Sequence, residues 1–146
     1  MGVGIRTIYT IPAAVPLTSD QVLGTIGLTA AIAANQTMKI KAWIPITVGA
    51  TGGFQFQIVI PAAPTLIVSS SRFNNTALTT NIVAVQVTSV AVGNALANAG
   101  NHFVEIEAVV VNGANAGTID LQVAQNTTDI LTLTVLRGAT MEVVAL

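Results

Sequence analysis

The last thirty residues, GTIDLQVAQNTTDILTLTVLRGATMEVVAL (Gly117 to Leu146), hold short strand-like runs that are apolar on both faces. Successive side chains of a strand point to opposite sides. In Ile130–Leu136 one side carries Leu131, Leu133 and Val135, and the other Ile130, Thr132, Thr134 and Leu136. In Thr140–Leu146 the sides are Met141, Val143 and Ala145 against Thr140, Glu142, Val144 and Leu146. Ile82–Val92 repeats the pattern, broken by Gln86, Thr88 and Ser89. One apolar side can line a core. The other needs a helix layer, lipid or a neighbouring subunit.

No helix layer is evident along the chain. Ile5, Thr7, Tyr9 and Ile11 alternate before Pro12 and Pro16, so residues 1–20 read as an N-terminal arm or edge strand ahead of a domain at 21–146. Val22 to Thr37 is Ala-rich, but Gly24, Thr25, Gly27 and Thr29 interrupt any helical stripe. Met38–Ile46 alternates cleanly, with Met38, Ile40, Ala42, Ile44 and Ile46 opposite Lys39, Lys41 and Trp43. Phe54–Ile60 does the same after the loop Gly49–Gly53, and Leu66–Ser70 is a short strand running into a polar loop at Arg72–Asn75. Phe103–Val111 places Val104, Ile106, Ala108 and Val110 inward and Glu105 and Glu107 outward. Asn112-Gly113 is a turn signal, and Asn126–Asp129 and Arg137–Ala139 are of hairpin length. Eight to ten strands without a helix describe an all-β sandwich or barrel, with a jelly roll the natural candidate.

Composition separates lipid from protein as the cover. Hydrophobic residues are 52% of the chain and charged residues 8%, against about 25% charged in an ordinary soluble domain. The uncharged stretch Ala42–Ser71 is broken by Pro45, Gly49, Gly52, Gly53, Pro61 and Pro64, which excludes a membrane helix. A membrane barrel needs two aromatic girdles, and 4% aromatic residues do not supply them. Other copies of the chain remain. If each hides ~1,000 Å² of mostly apolar surface, about 25 cal/mol/Å² gives ~25 kcal/mol before association costs, the scale of an obligate interface. An obligate homo-oligomer is expected, with subunits meeting at Leu131–Val135 and Met141–Leu146. A net charge of −1 with scattered basic residues offers no nucleic-acid footprint.

Chemistry is sparse. The chain has no cysteine, which removes disulfides and thiolate sites. His102 is the only histidine and reads as a loop-edge residue. Glu105 and Glu107 share a strand face and could hold a cation at a subunit junction, but a solvated strand face is the simpler reading. Asp120 and Asp129 stand isolated near turns. Gly49–Gly53 lacks the Lys-Ser/Thr of a phosphate loop. Three Asn-x-Thr matches, at Asn35, Asn74 and Asn126, are what an Asn/Thr-rich composition yields. No catalytic, cofactor-binding or metal-ligating residue is assigned, and the chain is not expected to be an enzyme.

The order of motifs resembles a known family. LTAAIAANQTMKIKAWIPI, a Gly/Thr loop, GGFQFQIVIPAAPT, GTIDLQVAQN and VLRGATMEV are similar, in sequence order, to small tailed-bacteriophage virion proteins with a trimeric tumour-necrosis-factor-like jelly roll. The resemblance runs from about Leu28 to Leu146. Met38 stands where that family often has Tyr, and Gly138-Ala139 where it often has Gly-Ser. The resemblance implies a homotrimer on the outside of a virion. The expected function is a capsid decoration (cement) protein bound to the major capsid protein of a phage head. A receptor-binding knob of a fibre or spike is the alternative within that class, and a lectin-like carbohydrate-binding module the alternative outside it. The arm, Met1 to Leu17, is expected to reach contacts beyond its own domain.

Overall fold

A computed structural model describes residues 5–17, 22–49, 53–61, 66–74, 79–86, 92–94, 99–127 and 132–146. Among them are twelve strands and no helix. The first sheet is built from β1 (Arg6–Thr10), β12 (Thr140–Ala145), β4 (Thr37–Val48), β9 (Gly100–Val111), β6 (Leu66–Asn74) and β7 (Thr79–Gln86), hydrogen-bonded in that order. Two short strands, β2 (Val15–Pro16) and β11 (Thr134–Val135), join it beside β4. The second sheet is β3 (Gly24–Ile32), β10 (Gly117–Ala124), β5 (Phe54–Val59) and β8 (Val92–Asn94).

Four of the pairings are nested. β1 pairs with β12, β3 with β10, β4 with β9 and β5 with β8, all antiparallel, so the chain resembles one long hairpin wound into two sheets. The β6–β7 hairpin is inserted between β5 and β8 and extends the first sheet beyond β9.

The alternation explains why the sheets stack. Ile40, Ala42, Ile44 and Ile46 of β4, Val104, Ile106 and Val110 of β9, and Met141 and Val143 of β12 are buried on one side. Ile26, Leu28, Ala30 and Ile32 of β3, Ile119, Leu121 and Val123 of β10, and Phe54, Phe56 and Ile58 of β5 join them in one core. Each fully buried Leu, Ile or Phe side chain contributes roughly 1.5–3 kcal/mol relative to exposure. In this sandwich the inward side chains of β3, β4, β5 and β10 are all buried.

Several local expectations are revised. The turn at Arg137–Ala139 does not reverse the chain: Thr134 and Val135 face Thr47 and Ile46, and Thr140 faces Trp43, so β11 and β12 follow one line along β4. Between them Leu136–Ala139 bows out, with Gly138 at φ 90°, a conformation that glycine adopts without steric cost. The edge segment matches that excursion. β1 and β2 lie along β12 and β11, residues 11–14 bow out opposite 136–139, and Ile11 donates its amide to Ala139 O at 3.0 Å. Ile11 itself is buried in the core. Residues 5–17 are therefore the edge of the first sheet.

Asn112-Gly113 is not a two-residue hairpin either. It opens the crossing from β9 in the first sheet to β10 in the second. Asn112 is buried, and its Nδ2 donates to Ala33 O and Asn115 O, both at 2.7 Å. Asn35 takes φ 56° at the neighbouring β3–β4 corner and donates its amide to Gly113 O at 2.7 Å. One buried amide thus ties together the two corners where the chain changes sheet. The expected single strand Ile82–Val92 is divided between β7 and β8, in different sheets, and the expected loop at Arg72–Asn75 is strand as far as Asn74. Asp129, Ile130 and Leu131 lie outside the described residues.

Candidate interaction surface

The outward side of the first sheet gathers most of the chain's ionic groups. Because the inward positions of β1, β12, β4, β9 and β6 carry no Asp, Glu, Lys or Arg, the charged residues fall on the alternate positions. Four of the five basic residues (Arg6, Lys39, Lys41 and Arg72) and all three glutamates (Glu105, Glu107 and Glu142) lie there. Strand register sets them in rows. One row runs Ile8, Glu142, Lys41, Glu107, Ser70, and the next runs Thr10, Thr140, Trp43, Glu105, Arg72.

Neighbouring strands are stitched by opposite charges. Arg6 Nη2 lies 2.7 Å from Glu142 Oε2 across β1 and β12, and Lys41 Nζ 3.0 Å from Glu107 Oε1 across β4 and β9. Arg72 Nη1 lies 3.6 Å from Glu105 Oε2 across β6 and β9. The Lys41 ammonium, hydrogen-bonded to Glu107, holds that carboxyl below its ordinary range against the opposing effect of burial, with weaker attraction from Lys39 and Arg72. Lys41 also stands over the Trp43 ring, 5.0 Å from its centre. A depression of about 210 Å³ lies between Lys39, Lys41, Glu142 and Val144.

Apolar groups frame these ion pairs. Pro45 faces Phe103 across β4 and β9, next to Trp43, and all three are half-buried. Ile8 is 55% exposed on β1 and Leu146 72% exposed at the end of β12, where an isolated sheet leaves large aliphatic groups in water. Trp and Arg are the side chains that most often carry binding energy in protein interfaces, and Phe is enriched there.

The second sheet turns a different side outward. Thr25, Gly27, Thr29 and Ala31 of β3, Gln55, Gln57 and Val59 of β5, and Thr118, Asp120 and Gln122 of β10 occupy it. Asp120 is its one charged residue among those described, and both its oxygens are engaged: Thr25 Oγ1 donates at 2.8 Å and Gln122 Nε2 at 3.0 Å.

The other singled-out residues do not converge. His102 is buried at the inward side of β9 opposite Ile46, on the other side of the sheet from the glutamates. Its buried place corrects the loop-edge reading. Glu105 and Glu107 share the outward face, as their spacing requires, but each faces a basic partner. Among the described residues no three His, Cys, Asp or Glu side chains come together as a metal site would require, and no helix is long and apolar enough to cross a membrane. Two features escaped the sequence pattern. Arg72 belongs to the charged face because β6 continues through it, and Asn112 is a corner clamp whose only signal was the turn-forming Asn-Gly pair.

No protein-family model matches the chain, and no curated protein matches it. Similar solved structures include infectious bursal disease virus, Gx strain, at 13% identity and a TM-score of 0.27, covering 96% of this chain and 40% of that one. The VP2 subviral particle of the same virus gives 12% identity and a TM-score of 0.25, again over 96% of this chain and 40% of that one. The chain thus spans two fifths of the length of these neighbours. A likeness at this level carries no argument about what the chain does.

Proposed function

We propose that the chain is a structural protein of a virus particle, a tumour-necrosis-factor-like jelly roll that assembles as a homotrimer and decorates the capsid of a tailed bacteriophage. The observation that carries this reading is the nested pairing β1·β12, β3·β10, β4·β9 and β5·β8, the wiring of an eight-stranded jelly roll. It agrees with the order of motifs that carried the family resemblance. A fold of this kind serves many functions, so the role rests on the resemblance and on the surface chemistry together. That surface offers half-buried Trp43, Pro45 and Phe103 amid mutually neutralised charges, which suits a face covered by protein. The activity is mechanical: a preassembled trimer multiplies weak contacts to several coat subunits.

Light scattering at micromolar concentration tests the assembly, with a mass of three chains or a multiple of it expected and a single-chain mass refuting it. Locating the protein in cryo-images of the particle tests the role. Density over the head lattice supports decoration, density at a fibre tip gives the receptor-binding knob instead, and absence from the particle refutes both. Deleting residues 1–16 is a poor probe of coat binding, because it removes Ile11 from the core.

A further inference from the structure

Two sheets have four outer edges, and a natural sheet protects its edges against unplanned pairing with charge, proline, bulges or shortness. Three edges of this molecule follow that rule. β1 carries Arg6 and is followed by Pro12 and Pro16 along the same edge. β3 contains Gly27 at φ 81°, and its register with β10 shifts there. β8 has only three residues.

The fourth edge is β7, TTNIVAVQ, and it has none of these devices. It has no charge, no proline and no glycine, and five of its eight residues are β-branched. No charged residue occurs anywhere from Phe73 to Val104. Its inner neighbour is β6, and among the described residues no strand pairs with its other edge. A strand of this composition with no second partner among the described residues is a template for another strand.

We infer that the β7 edge pairs antiparallel with β7 of a second copy, so that the first sheet continues across a two-fold axis. The argument for a copy is electrostatic. At a two-fold axis each residue near the centre meets its own kind, so a charged centre repels itself; β7 is neutral throughout. A foreign partner would ordinarily be selected by charge complementarity, and this edge presents no charged group to read.

Geometry then fixes the register. For the sheet to continue with its two sides unmixed, residues of equal parity must face each other, because neighbours in one strand alternate sides. Centred on the strand, Val83 faces Val83 of the second copy, Ile82 faces Ala84, and Thr80 faces Gln86. The inference is independent of the trimer: if trimers form through the charged face, β7 joins chains of different trimers.

Because the chain has no cysteine, one introduced thiol reports the contact. Facing residues of an antiparallel pair have Cα atoms about 4.5–5.5 Å apart, within disulfide range, whereas two copies of residue 80 are offset by six positions, about 20 Å. Val83→Cys, oxidised at micromolar concentration, is expected to give a two-chain band on a non-reducing denaturing gel, on the order of ten-fold stronger than Thr80→Cys. In the unaltered protein, dilution is expected to speed amide exchange selectively in residues 79–86. Equal cross-linking of the two variants, with far-UV circular dichroism unchanged, overturns the inference. So does β7 exchange that is independent of concentration, which also covers the case in which Val83→Cys fails to fold.

Discussion

The two outward sides of this sandwich use opposite means to meet their surroundings. The first sheet carries seven charged residues and pairs six of them across strand boundaries, as Arg6–Glu142, Lys41–Glu107 and Arg72–Glu105. The second has Asp120 and otherwise neutral Thr, Gln, Gly, Ala and Val side chains among the described positions. A chain with little charge would ordinarily spread it to stay soluble. Here it is concentrated where Trp43 and Phe103 also lie, and most of it is cancelled within the face. Paired charges of this kind give little stability at a wet surface, typically ~0–1 kcal/mol each. They do fix side-chain positions, and a face with fixed side chains and little net charge loses less when a partner covers it. The neutral face has no such order to offer.

The largest effect expected from this contrast follows from placing an unpaired charge on each side. Phe103→Asp puts a carboxylate among the apolar groups of the first face and should abolish the proposed three-chain unit, so that the light-scattering mass is no longer a multiple of three chains. Gln57→Asp makes a comparable change on the second face and should leave the mass unaltered. The reverse result would move the subunit contact to the second sheet. The two substitutions need no structural rescue, since both positions point away from the core.

Next in size is a change that should not distinguish the faces. Asn112 joins the corners through which the chain passes between sheets, so Asn112→Ala leaves Ala33 O and Asn115 O without this donor. Loss of a buried polar partner costs roughly 1–3 kcal/mol. Urea unfolding should show a lower midpoint and a free energy of unfolding reduced by about that amount, with the mass in light scattering unchanged wherever the protein is folded. A loss of assembly at unchanged stability would mean that the corner itself contacts a subunit.

How far these features could be read in the sequence depended on how each strand spends its inward positions. β4 and β9 put Ile, Ala and Val inward and Lys, Trp and Glu outward, so alternation revealed both strands and both faces. β6 was cut short because its inward positions include Ser69 and Ser71, both buried, and a buried serine carries no hydrophobic signal. β7 and β8 merged into one run because β-branched residues continue between them. The aligned excursions at 11–14 and 136–139 imitate chain reversals locally, and only pairing along the whole of β4 tells them apart from hairpins. The charged rows were hidden for the same reason. Glu105 and Glu107 were recognisable as neighbours on a face, but their partners Arg72 and Lys41 are brought there by strand order.

The smallest expected effect tests whether those rows matter while the face is wet. Lys41 holds the Glu107 carboxyl below its ordinary value of 4.5. A lowered folded-state value means that the ionised side chain adds stability above about the unfolded value, and that this contribution is lost as pH falls through the folded value. Glu107→Gln removes it at every pH. The half-exposed position limits the loss to a few tenths of a kcal/mol near neutrality. Wild type and variant should therefore differ slightly at pH 7 and converge as acid protonates Glu107, when their urea midpoints are compared across that range. Salt should shrink the neutral-pH difference, since an exposed pair is screened. A difference that exceeds this size in the assembled protein but not in dissociated Phe103→Asp chains would place Glu107 inside the covered area.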